Sequence, residues 1–95
     1  MNTEELVYKS LQKKQAAQRE LYAKFSGEVM KICQRYCSAN QLAQDAFQEV
    51  FVTIFNQLQQ SDKNRGSFEG WSYRISVNTA LAQLRKEKRF AFDDI

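Results

Sequence analysis

An all-α fold, a compact bundle of three to four helices, follows from three features of the 95-residue sequence. Proline is absent and glycine occurs three times, so little interrupts a helix. No stretch alternates apolar and polar residues over a strand length, whereas apolar residues recur at three- and four-residue steps. Apolar residues make up 43% of the chain and aromatics 13%, enough for one small core and one domain.

The first helix begins near Thr3, where Asn2 and Glu5 offer a capping box, and is predicted to run to about Lys14. The second covers Ala16 to Tyr36, with Leu21, Phe25, Val29, Ile32, Cys33 and Tyr36 on one face. The two are either separate or continuous. Gly27 inside the second weakens it by roughly 1 kcal/mol relative to alanine.

The third helix starts between Ser38 and Asn40, where Ser38 and Gln41 spell a second capping box. Ala43, Ala46, Phe47, Val50, Phe51, Ile54, Phe55 and Leu58 keep one face apolar. Opposite lies a stripe of Asp45, Gln48, Glu49 and Val52. The polar stretch QQSDKNRGS is a loop, and Ser67 can cap a fourth helix running to about Phe90. Residues 1–90 are therefore one helical domain, and 91–95 read as the start of a linker or a frayed tail.

Composition narrows the function. Mean hydropathy is −0.61, and no apolar run approaches the roughly 18–20 residues of a membrane span. MNTEELVYKS carries acids where a secretory signal has a basic region, so a soluble cytoplasmic protein without a membrane partner is expected. Cys33 and Cys37 lie four apart as small buried residues; with no histidine present, no metal and no cofactor are expected. Lacking histidine and a glycine-rich phosphate loop, the chain is not expected to be an enzyme.

Charge is segregated along the chain. Residues 1–36 carry seven Lys/Arg against four Glu, residues 37–59 only Asp45 and Glu49, and residues 60–90 seven Lys/Arg against three acids. An acidic-polar middle between basic flanks suggests two partner surfaces. On the fourth helix, at about 100° per residue, Trp71, Ile75, Asn78, Ala82, Arg85 and Arg89 fall in one arc. Tyr73, Val77, Ala80, Leu81 and Leu84 fall opposite and are predicted to dock the helix. An aromatic, an amide and guanidinium groups on one stripe suit stacking, base-edge hydrogen bonding and phosphate neutralisation. Two alternatives stay open here: Trp71 and Ile75 belong to the core with Phe68, and the basic end is a solvated terminus suited to the helix dipole.

Three blocks together resemble the second conserved region of bacterial sigma factors, of the extracytoplasmic-function (ECF) group. They are RELYAKFSGEVMKICQRYC, QDAFQEVFVTIFNQL and GSFEGWSYRISVNTALAQLRKEKR, in order and with compatible spacing over about residues 15–90. The resemblance implies a helical domain that docks on a coiled coil of the RNA polymerase β′ subunit through Asp45, Gln48, Glu49 and Val52. It further implies recognition and melting of the promoter minus-ten element, with capture of unpaired non-template bases. The residues concerned would be Lys63, Asn64, Arg65, Ser67 and Phe68 of the loop and Trp71, Tyr73, Arg74 and Asn78 of the helix. Arg85, Lys86, Lys88 and Arg89 would hold the backbone.

A monomer is expected, with core RNA polymerase, promoter DNA and an anti-sigma factor as partners. The rival is a helical protein–protein adaptor without DNA contact. Ser72, Ala82 and Leu42 depart from the family pattern, and Trp71 stands alone where housekeeping sigma factors place two tryptophans. The single tryptophan implies weaker melting and a stricter promoter requirement. The family's helix-turn-helix domain has no counterpart after Arg89, so the residues are expected to be a chain cut at the linker.

Overall fold

The computed structural model describes residues 2–61 and 66–93, with side chains described as far as Lys88. Four α-helices follow in order: α1 (Thr3–Leu11), α2 (Gln15–Tyr36), α3 (Asn40–Asn56) and α4 (Phe68–Asp93). A short 3₁₀ turn, Leu58–Gln60, follows α3. Helices α2, α3 and α4 pack on one another, while α1 lies along α2 and touches the 3₁₀ turn.

α1 begins as the sequence predicts, with the Asn2 side-chain oxygen accepting from the Glu5 amide at 2.8 Å. It ends at Leu11, three residues short of Lys14, and is separate from α2. The stop is a left-handed residue, Lys13, at φ 63°. Its amide donates to the Ser10 carbonyl at 2.9 Å and the next amide, of Lys14, to the Lys9 carbonyl at 3.2 Å. This pair of bonds closes a helix end that usually carries glycine, so no residue type in the segment marks the stop.

The second predicted capping box does not form. Ala39 is the N-cap of α3 and makes no side-chain cap bond, so Ser38 stands one residue too early. Gln41 instead donates its amide to the Asp45 carboxylate at 3.1 Å, one turn along the helix. The apolar face of α3 is as expected: Ala43, Ala46, Val50, Phe51 and Ile54 are buried, and Phe47 and Phe55 half-buried. Leu58 reaches the core from the 3₁₀ turn, not from α3 itself.

The docking face of α4 differs from the predicted one. Tyr73 is 48% exposed, and Val77, Leu81 and Leu84 are only half-buried. The buried positions are Phe68, Ser72, Ser76 and Ala80, at four-residue steps, with Trp71 and Ile75 partly buried beside them. Serine reads as a surface residue, but each hydroxyl here bonds back into the preceding turn. Ser72 Oγ donates to the Glu69 carbonyl at 3.1 Å, and Ser76 Oγ to the Ser72 carbonyl at 2.8 Å. Satisfied in this way, both can be buried without an orphaned donor. Their small size lets the helix pack close, since the side chains at the crossing set interhelical spacing. The backbone of α4 stays helical to Asp93, past the predicted end at Phe90.

Candidate nucleic-acid interface and docking face

The approach to α4 is built by two residues. Gly66 sits at φ 108°, a conformation natural to glycine alone, and turns the chain into the helix. Ser67 then caps it as predicted, its Oγ accepting from the Gly70 amide at 3.0 Å. Lys63, Asn64 and Arg65 of the predicted loop set lie outside the described residues, as does the side chain of Arg89.

Phe68 does not belong on a nucleic-acid surface. It is 8% exposed, and its ring meets that of Phe25 edge-on, with centroids 5.0 Å apart. Burial of a large aromatic where α2 meets α4 leaves little of its ring on which a base could stack. Trp71 lies between the two alternatives: its ring is 5.7 Å from Phe68 and packs on the core, yet the residue is only half-buried.

The rest of the predicted track is exposed. Arg74, Asn78, Arg85, Lys86 and Lys88 all face solvent. Arg74, Asn78 and Arg85 lie within about 40° of one another around the helix, opposite the buried serines. Tyr73, also exposed, borders a shallow crevice of about 350 Å³ between α2 and α4, with Glu28 and Ile32 across from it.

The α3 stripe is exposed in full: Asp45, Gln48, Glu49 and Val52, the last 59% accessible. Glu49 is tied to α4, accepting from the Gln83 side-chain amide at 3.0 Å. Beside the stripe runs a row of aromatics that the sequence reading missed as a unit. Tyr22 of α2 lies 5.9 Å from Phe47 and 4.7 Å from Phe51, and Phe51 lies 6.3 Å from Phe55. Tyr22 follows core residue Leu21 directly, so on a helical wheel it falls on the shoulder of the buried face. That placement was the one signal of the row in the sequence.

A second feature had no sequence signal. A cleft of about 650 Å³ opens between α1, the 3₁₀ turn and the start of α4, floored by Leu58 and Phe68. Tyr8, 64% exposed, and Leu11, 41% exposed, stand on its α1 side.

The two cysteines are buried and free. Burial, and then the nearness of Cys37, pushes the Cys33 thiol up to about 11. Burial, and then the charge of Glu87, raises that of Cys37. A protonated Cys37 Sγ points at the Ala80 carbonyl, 3.6 Å away, joining the end of α2 to α4. No group of three or more His, Cys, Asp or Glu side chains among the described residues could hold a metal. Among them, too, no helix is long and apolar enough to cross a membrane.

Comparison with known proteins gives this arrangement a context. The family model for sigma-70 region 2 matches residues 21–90, covering most of α2 and all of α3, and leaving α1 outside. The ECF RNA polymerase sigma factor SigE of Mycolicibacterium smegmatis is 30% identical over 74 residues, 78% of this chain and 28% of that protein. The ECF RNA polymerase sigma factor SigW of Bacillus subtilis is 30% identical over 64 residues, 67% of this chain and 34% of that protein. The chain thus spans about a third of the length of these relatives. No solved structure matches it. With the family match extending over most of the helical bundle and both relatives of one kind, the chain belongs to the sigma-70 region 2 family, in its ECF group.

Proposed function

We propose that this chain is the part of a transcription initiation factor that joins core RNA polymerase to the promoter minus-ten element. In this reading α3 docks on the β′ coiled coil through Asp45, Gln48, Glu49 and Val52, an exposed stripe in a segment without a single Lys or Arg. Such a face suits a partner whose rim is basic. Helix α4 lies along the separated non-template strand.

The observation that carries the DNA reading is the exposure of Arg74, Asn78 and Arg85 on one face of α4, while the opposite face holds the bundle together. Asn78 offers a donor and an acceptor to a base edge. Arg74 and the cluster Arg85, Lys86 and Lys88 neutralise phosphates on either side of it. Tyr73 and the accessible part of Trp71 supply surfaces for stacking. Phe68 takes no direct part; from the core it fixes where the first turn of α4 stands.

The test is binding of the chain to a fluorescent single-stranded minus-ten oligonucleotide and to a scrambled one, at several salt concentrations. The expected result is weak, steeply salt-dependent binding whose preference for the minus-ten sequence is lost in Asn78→Ala. Equal weakening of both sequences would make Asn78 a structural residue. Absence of binding to either, with polymerase binding intact, would favour the protein–protein adaptor.

A further inference from the structure

We infer that the crevice between α2 and α4 is a docking site for one arginine side chain of a protein partner, with Tyr73 stacking on the guanidinium and Glu28 and Glu69 meeting its charge. The crevice measures about 350 Å³, near the low end of the roughly 300–1,000 Å³ of small-ligand sites. That is room for one long side chain and not for a helix. Its floor includes Phe25, Val29 and Ile32 of α2, all buried. Ser72 and Ser76 of α4 line it too, but their hydroxyl protons are already given to the Glu69 and Ser72 carbonyls. With neither hydroxyl free to donate, the part of a guest that reaches the floor must be apolar. The rim is different. It carries Tyr73, nearly half exposed, and the exposed carboxylates of Glu28 on α2 and Glu69 in the first turn of α4.

An apolar stem with a cationic tip meets both demands, since such a side chain lays its methylenes on apolar surface and keeps its charge outside. Among the described residues that line the crevice none is Lys or Arg, so both charges at the rim are negative. They repel a nucleic-acid backbone, which leaves a protein as the partner. A planar guanidinium stacks on an aromatic face and presents its donors in a fixed fork. Arginine therefore fits the ring and the carboxylates together better than lysine does. The crevice opens away from the DNA face, because Tyr73 stands roughly 100–140° round α4 from Arg74, Asn78 and Arg85. The inference does not rest on the DNA reading, and the two surfaces share only Tyr73.

The experiment is an NMR titration of the ¹⁵N-labelled 95-residue chain with alanine–glycine heptapeptides that carry one central arginine, citrulline or norleucine. Citrulline keeps the shape of arginine without its charge, and norleucine keeps only an apolar stem. The arginine peptide is expected to shift the amides of Glu28 to Ile32 together with those of Glu69 to Tyr73, leaving Asn78 unmoved. The citrulline peptide is expected to bind roughly 10-fold or more weakly, the effect of losing charge-assisted hydrogen bonds. Glu28→Gln with Glu69→Gln, both at exposed sites, should cost the arginine peptide a similar factor. The same double variant should keep its native circular dichroism and bind the minus-ten oligonucleotide no less tightly. Equal response to all three peptides, or no response to any, would overturn the inference and leave the DNA reading of α4 standing. Arginine amide binding as tightly as the peptide would make the crevice a small-cation site and overturn protein docking. Shifts of Glu28 to Ile32 by the oligonucleotide and by no peptide would give the crevice to DNA and overturn it as well.

Discussion

Gln83 of α4 donates its side-chain amide to the Glu49 carboxylate of α3 at 3.0 Å. The bond joins the two helices assigned to different partners: Glu49 sits on the exposed stripe of α3, and Gln83 lies on the side of α4 that carries buried Ser76, away from Asn78. The position of Glu49 is thus set by α4 as well as by its own helix. The double variant Gln48→Ala, Glu49→Lys is expected to abolish binding to a β′ coiled-coil fragment while its circular dichroism stays native. Gln83→Ala removes the tie alone, and at this partly exposed site should lower stability by no more than about 1 kcal/mol. Persistent binding by the folded double variant would place the docking face elsewhere.

Arg85 and Lys86 lie exposed on the C-terminal half of α4, about two turns beyond Asn78. Replacing both with alanine should weaken binding to every single-stranded sequence alike. It should also reduce the slope of log affinity against log salt by about 0.7 for each phosphate that is no longer neutralised. A change in sequence preference, read from the same titrations, would assign them to base recognition instead.

Lys13 holds a left-handed conformation at φ 63° in the turn between α1 and α2. A side chain there costs on the order of 1–2 kcal/mol, part of which glycine recovers while losing more entropy on folding. Lys13→Gly should therefore raise stability by about 0.5–1 kcal/mol, measurable as a shift in the urea midpoint. An unchanged or lower midpoint would mean the turn is formed differently.

Ser76 is fully buried and its hydroxyl is already satisfied by the Ser72 carbonyl. Ser76→Leu, an apolar change that sequence periodicity alone would welcome, is expected to destabilise the fold by about 1–3 kcal/mol through overpacking. Val77→Ser, on the half-buried flank, should cost less. A reversed order would restore the predicted docking face in place of the observed one.

The Cys33 thiol ionises near 11 in the folded protein and at 9.0 when free of it. Below pH 9 both states hold the proton and the thiol adds nothing to the pH dependence. Between about 9 and 11 only the unfolded chain gives it up, so stability falls with rising pH, by up to about 1.4 kcal/mol per pH unit. Cys33→Ala should lose less stability than the native chain between about pH 8 and pH 10.5 in urea unfolding. Parallel losses would show that the thiol is not the group responsible.

Much of this was readable in advance where a residue's type and its position agreed. The apolar steps of α3, the Asn2 and Ser67 caps and the exposed Asn78 all follow from side-chain chemistry acting within one or two turns. The failures share a cause. Ser72 and Ser76 look polar but satisfy themselves locally, and Phe68 looks accessible until Phe25 meets it from a helix some forty residues earlier.

The sequence alone determined that this chain forms helices, where most of them begin, and which face of α3 is apolar, because these depend on interactions between neighbours. Only the tertiary structure decided which side of α4 faces inward, that Phe68 is core, and that α1 meets the start of α4 across a cleft. Those outcomes depend on how closely helices can approach, and that distance is set jointly by side chains that are remote from one another in the chain.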